Sequence, residues 1–201
     1  MSDLILQLYE NILQTTVVEF IAVFFGLVSV IYAARNSVLV FPTGIISVLL
    51  YVYICFKWGL YADMIVNAFY FIMSLFGWYN WIFGSSNNDE LQISKTTIKQ
   101  ILIYIVLFFI FFSLLYFGLI FFTDSNVPVL DSITTSLFII AMWLMALRKL
   151  ENWIFYIVGN AISIPLYIYK GLILTSFQYM VFLVIAIVGF IQWQKIIKQY
   201  D

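Results

Sequence analysis

Long apolar stretches, each about as long as a bilayer is thick, alternate with short polar breaks along the whole chain. Runs at roughly 17–34, 38–56, 62–84, 100–122, 131–147, 152–169 and 173–193 have the about 17–25 residues that a helix needs to cross the hydrocarbon core. The pattern therefore predicts seven spanning helices. Ahead of the first, Leu4, Ile5, Leu8, Ile12 and Leu13 form one helical stripe opposite Gln7, Glu10, Asn11 and Gln14. That spacing predicts an amphipathic helix lying in the interface. The inter-helix polar segments of any length are 85–99 and 123–130, and together they isolate the fourth run. The chain divides accordingly into an amphipathic segment (1–16), a first three-helix bundle (17–84), a linker with a connecting helix (85–130) and a second three-helix bundle (131–195).

Gly59, Gly77 and Trp81 recur as Gly171, Gly189 and Trp193, each 112 positions later. A repeat separated by one odd helix keeps both copies in the same orientation, so the expected fold is an all-α membrane protein of seven transmembrane helices in a 3+1+3 parallel-repeat bundle. Parallel repeats with a site at their interface are one way of building a secondary transporter. Pro42 and Pro165 fall in the second and sixth runs, where a proline kinks a helix and frees a carbonyl, or merely bends the packing. Gly44 and Gly159, near the middles of the same two runs, permit close helix approach.

Composition supports lipid as the solvent: 65% of residues are hydrophobic and 9% are charged, against about 25% charged in soluble domains. With a net charge of −1 and no long basic run, nucleic-acid binding is not expected. The basic residues are unevenly spread. Arg35, Lys95, Lys99, Arg148, Lys149, Lys195 and Lys198 fall on one side of a seven-span chain, and Lys57 and Lys170 on the other. By the positive-inside rule the N-terminus is outside and the C-terminus cytoplasmic. Asp3 and Glu10, without a basic segment, argue against a cleaved signal peptide. The single Cys55 has no cysteine to pair with and reads as a small core residue.

The chain has no histidine, which removes histidine-based triads, metal sites and proton relays. No cofactor or metal is expected. Glu19, Asp63, Asp131 and Glu151 sit at or before helix starts, where the backbone dipole favours a carboxylate. Arg148 and Lys149 beside Glu151 read as a cytoplasmic anchor and ion pair.

Uncharged polar and aromatic positions carry more information. Asn67 and Tyr70 share a face of the third helix, and Trp78 and Trp81 repeat that spacing further on. On the sixth helix Trp153, Tyr156, Asn160, Ser163 and Tyr167 form one stripe; Gln178 adds an amide on the seventh. Unpaired amides and hydroxyls are costly against lipid, so these faces point to a polar interior or to inter-helix hydrogen bonds. The tryptophans also suit an interfacial belt. Aromatic faces attract organic cations, and amides match ring carboxamides or sugar hydroxyls. A small planar cation or polar solute is the ligand class expected. A retinal receptor needs a lysine inside a span, and here the lysines lie in loops or at span ends. An intramembrane enzyme needs an acid–base pair or metal cluster, and neither is visible. A purely structural subunit leaves the buried polar stripe without a purpose.

At Gly59-Leu-Tyr-Ala-Asp63, Gly77-Trp-Tyr-Asn-Trp81, Asp131-Ser132 through Ala141-Met-Trp-Leu-Met145 and Arg148-Lys149-Leu-Glu151-Asn-Trp153, the chain resembles the PnuC family of vitamin transporters, over nearly its whole length. The resemblance implies a 3+1+3 bundle related to SWEET proteins, a homotrimer in the bacterial inner membrane, and facilitated diffusion of an unphosphorylated vitamin trapped by a cytoplasmic kinase. Nicotinamide riboside is the substrate it implies first, and thiamine the alternative. It also implies that Trp153, Asn160 and Tyr167 belong to a sixth-helix binding stripe, that Asn67 and Tyr70 belong to a third-helix one, and that Trp78 and Trp81 are an aromatic pair. The chain departs at Tyr156, where many nicotinamide riboside carriers have a second tryptophan.

Overall fold

A computed structural model describes residues 16–85, 91–123 and 125–200; the amphipathic stripe at 4–14 lies outside them. Seven helices follow one another: α1 (Val17–Ala34), α2 (Val40–Lys57), α3 (Tyr61–Phe83), α4 (Ile98–Phe122), α5 (Pro128–Ala146), α6 (Asn152–Tyr169) and α7 (Ile173–Tyr200). Five of them are long and apolar enough to cross a membrane. The other two, α3 and α6, have 23 and 18 residues and fall short in apolarity alone, because they carry Asp63, Asn67 and Asn80, and Asn152, Asn160 and Ser163.

Local chemistry sets the ends. Thr16 and Glu19 form a reciprocal capping box on α1, the Glu19 carboxylate accepting from the Thr16 N–H at 2.8 Å, so Glu19 serves its own helix start. Thr97 and Gln100 do the same for α4. Pro128 opens α5, where its missing N–H costs nothing. Pro42 likewise falls in the first turn of α2, so the kink expected there has no intrahelical bond to break. Pro165 alone lies within a helix. The seventh helix continues past the expected 193 to Tyr200.

The helices close into a ring. α1 packs on α2, α2 on α3, α3 on α5, α5 on α6, α6 on α7, and α7 back on α1; α4 lies outside, against α5. In α1 and α2 the contact is made by small residues. Ser29 Oγ donates to Val40 O (2.8 Å) and Ser47 Oγ to Ala22 O (2.8 Å), which satisfies hydroxyls that lipid could not. In α5 and α6, Gly159 makes the room: a Cβ there would lie 2.6 Å from the Phe138 ring.

Equivalence at 112 positions extends well beyond the glycines and tryptophans seen in the sequence. Among the described residues four have positive φ, and they form two pairs: Asn36 (55°) with Arg148 (53°), and Gly59 (71°) with Gly171 (75°). The first pair ends α1 and α5, the second links α2 to α3 and α6 to α7. Trp81 Nε1 donates to Met145 O (2.9 Å) and Trp193 Nε1 to Ala33 O (2.9 Å); donors and acceptors are both 112 apart, so each half holds the other by the same bond. Phe41 meets Trp81 edge-on at 5.0 Å, and Trp153 meets Trp193 edge-on at 5.6 Å. Gly77 leaves room for Phe41, and Gly189 for Trp153.

Arg148 is buried at this end of the ring. Its Nε donates to Asn36 Oδ1 (3.0 Å), another nitrogen donates to Leu91 O, and the guanidinium lies over the Trp81 ring at 4.3 Å. The segment 91–97 is tied down beside it. Ser94 N–H donates to Arg148 O, Leu150 N–H to Ser94 O, Lys149 Nζ to Ser94 Oγ, and Thr96 N–H to the Glu151 carboxylate. Among the described residues no ion pair joins Glu151 to Arg148 or Lys149; the expected pairing gives way to these bonds, which turn a polar linker into a strap across the α5–α6 turn.

Candidate functional site

The ring encloses a cavity of about 570 Å³, within the range of small-molecule sites. All six ring helices line it and α4 does not. One end is shut by buried residues: Ala33, Phe41, Met145, Trp153 and Ala186. At the other end the lining rises to the exposed residues Leu60 and Asp63 and the half-buried Thr175. The cavity is therefore a cup, closed at the Arg148 end and open at the Asp63 end.

Its walls differ. On one side Gly26, Ser29, Ala33, Gly44 and Ser47 of α1 and α2 form a recess of small residues. Facing it, Phe138, Trp153, Tyr156, Tyr179 and Phe182 supply rings. Phe138 stacks on Tyr179 at 5.8 Å, and Trp153 leans on Tyr156 at 6.1 Å. The amides sit between. Asn160 is 3% exposed, and among the described residues its side chain has no hydrogen-bond partner. The Trp153 indole N–H is buried and likewise unpartnered. Such groups are costly unless something bonds them; Asn160 lies on the cavity lining, whereas the Trp153 indole is enclosed in its floor. Asn67 Nδ2 donates to Asp63 O at 2.9 Å, leaving its carbonyl oxygen to the cavity. Gln178 meets the Tyr51 hydroxyl.

Of the residues expected from sequence, Asn67, Tyr70, Trp153, Tyr156, Asn160 and Gln178 are brought together on this wall. Trp78, Trp81, Ser163 and Tyr167 are not among its lining. Trp81 is consumed by its bond to Met145 and its contact with Arg148. Trp78 is 37% exposed on the outer face of α3. Ser163 is fully buried, its hydroxyl unpartnered among the described residues. Tyr167 stacks on Tyr179 at 5.0 Å from behind and faces Lys170. The small-residue recess escaped the sequence reading except for Gly44, since smallness leaves no polar or aromatic mark. Cys55 lines the cavity as well. No cluster able to hold a metal ion occurs among the described residues.

Comparison with known proteins agrees with this architecture. Residues 16–195 match the family described as the nicotinamide mononucleotide transporter. The chain is 25% identical over 188 residues to a nicotinamide riboside transporter PnuC of Neisseria mucosa, covering 88% of this chain and 71% of that one. It is 25% identical over 201 residues to the protein of the same name from Escherichia coli, covering 88% and 84%. A crystal structure of the vitamin B3 transporter PnuC superposes with a TM-score of 0.73 at 25% identity, covering 98% of this chain and 89% of that one. A match along almost the whole chain, with apolar helices that enclose a solute-sized cup, makes this an integral membrane protein that belongs to the nicotinamide mononucleotide transporter family.

Proposed function

We propose that the protein carries nicotinamide riboside inward across a bacterial plasma membrane by facilitated diffusion, with a cytoplasmic kinase trapping what has entered. The observation that carries this reading is the cup itself, in which an aromatic wall and the buried, unpartnered Asn160 amide border a space sized for a nucleoside. The rings of Trp153 and Tyr156 would stack on the pyridinium, a contact worth about 2 kcal/mol when dry. Asn67, Tyr70, Asn160 and Gln178 would bond the carboxamide and ribose. A nucleotide suits the lining less well than a riboside, because no lysine or arginine lines the cup among the described residues and a buried phosphate needs a cation or several donors.

Transport follows from two like-oriented halves, α1–α3 and α5–α7, rocking about the site in a 3+1+3 arrangement, which the 112-residue equivalences support. The excess of basic residues at the Arg148 end supports a cytoplasmic C-terminus, so the cup opens outward in this state. The family resemblance supports a homotrimer, to be checked by the mass of the detergent-solubilised particle. The decisive experiment is calorimetric titration of the purified protein with nicotinamide riboside, nicotinamide mononucleotide and thiamine in parallel. Tightest binding is expected for the riboside. Tighter binding of thiamine would reassign the substrate within the family, and binding of none of the three would overturn the proposal.

A further inference from the structure

Among the described residues that line the cup, Asp63 is the one formally charged side chain. It stands at the open end, in the first turn of α3, directly above the polar face made by Asn67, Tyr70 and Ser74. The neighbouring cation is already engaged: Lys170 Nζ pairs with Asp131 Oδ1 at 2.5 Å, while Ser125 donates to the other oxygen of Asp131 at 2.9 Å. No ion pair to Asp63 is found among the described residues. Thr175, its equivalent 112 positions on, also lines the cup but carries no charge. Among the described residues that line the cup, the mouth therefore has one negative pole, on the α3 side, above a space bordered by the buried Asn160 amide.

We infer that Asp63 is the charge-selecting group of this protein: its unpaired carboxylate draws cationic solutes into the cup and favours them over neutral solutes of the same outline. The inference rests on the riboside reading and extends it from shape to charge. A cleft with low-dielectric walls focuses the field of a charge at its rim, which raises the local concentration and the entry rate of counter-ions. Because Asp63 is solvent-exposed, its pull is screened by salt, whereas the stacking and amide contacts deeper in the cup are not. Charge selection and ring recognition are thus carried by different residues at different depths.

The test compares nicotinamide riboside with its reduced dihydropyridine form, which has nearly the same outline and no charge, using the purified full-length protein, Asp63→Asn and Asp63→Glu. At about 10 mM salt, where the Debye length is about 30 Å, Asp63→Asn is expected to weaken cation binding about five-fold, the factor a unit charge produces near 4 Å in water. Binding of the reduced form should not change. The difference should vanish near 1 M salt, and Asp63→Glu should keep most of the preference. Equal losses for the two ribosides, or no loss for either, overturn the inference while leaving the riboside reading intact. Failure of the unaltered protein to bind either compound overturns both.

Discussion

The helices α1–α3 and α5–α7 carry equivalent features 112 positions apart and differ in what they present to the cup. Where they hold each other, at the Arg148 end, they are near copies: Trp81 and Trp193 exchange identical bonds, Gly77 and Gly189 clear space for equivalent rings, and Asn36 and Arg148 turn the chain with the same left-handed conformation. Midway along the helices they diverge. Gly26 and Gly44 of the first half correspond to Phe138 and Tyr156 of the second, and Phe41 to Trp153. One half supplies the recess and the other the platform. They also differ in support. Ten residues of α5 are buried against four of α1, because α4 covers the outer face of α5 and no described helix does so for α1. The second half, which carries most of the rings, therefore has an outer helix packed on its α5, a support that the first half lacks among the described residues.

The largest expected effect tests the shared frame. Gly77→Ala and Gly189→Ala each add a methyl group where a ring already sits; at Gly189 the added Cβ would lie 2.6 Å from Trp153 Cζ2. Alanine favours the helix by about 1 kcal/mol, while overpacking costs about 3 kcal/mol, so each variant should lose about 2 kcal/mol. Thermal unfolding in detergent reads this. If only one of the two variants is destabilised, the halves are not equivalent where their sequences say they are.

Next comes the difference itself. Trp153→Phe gives the second half the residue type that Phe41 gives the first and deletes an indole N–H that has no partner among the described residues. Losing a donor to the riboside should weaken binding by about 1.5 kcal/mol. Unfolding temperature should change little, because the deleted donor has no bond to lose and the smaller ring is offset by removal of an unsatisfied polar group. An unchanged calorimetric affinity would mean that the Trp153 N–H does not meet the ligand.

Tryptophan also shows what the sequence could and could not reveal. The seven helices were legible because apolar runs of membrane length leave little choice, and the repeat was legible wherever identity survived, at Gly59, Gly77 and Trp81. It was invisible at Asn36 and Arg148, or Ala33 and Met145, where only the backbone role is kept. Spacing put Trp78 and Trp81 on one face of the third helix, yet Trp81 bonds Met145 O while Trp78 is partly exposed. Asn67, Asn160 and Gln178 were legible because an amide in an apolar helix has few places to go. Asp63 read as a partner of its helix dipole, and nothing in one dimension could show that its carboxylate also overlooks the cup. The polar tail beyond Trp193 marked the end of the apolar run, yet the helix continues through it to Tyr200.

A smaller effect should separate the two latch bonds. Trp81→Phe and Trp193→Phe each remove one indole donor, while Met145 O and Ala33 O keep the backbone donors Arg148 N–H and Asn36 N–H at 2.9 Å. Each change should therefore cost about 1 kcal/mol. Trp81 carries Arg148 over its ring and should cost about 0.5 kcal/mol more, since a phenyl ring is the weaker cation acceptor. Loosening this end should also raise the reactivity of a thiol introduced by Ala34→Cys in each background. A latch role requires that reactivity to increase alongside the loss of stability; lower stability with an unreactive thiol would reduce the tryptophans to packing.

The smallest expected change in stability belongs to the recess, at Gly44→Ala. The added Cβ would lie 3.0 Å from Ser29 Oγ, a hydroxyl that donates to Val40 O at 2.8 Å. Ser29 must move by a few tenths of an ångström, and the strain is opposed by the helix-propensity gain of about 1 kcal/mol, leaving stability within about 0.5 kcal/mol of the unaltered protein. Binding should respond more, since the methyl group enters the side of the cup that faces Tyr156 and brings the ligand's two walls together. The ratio of the two effects is the informative quantity. If affinity falls several-fold while the unfolding temperature holds, the small residues of α1 and α2 are there to leave space for a solute. If stability falls and affinity holds, they are there only to let two helices touch, and the contrast between the halves reflects packing and not recognition.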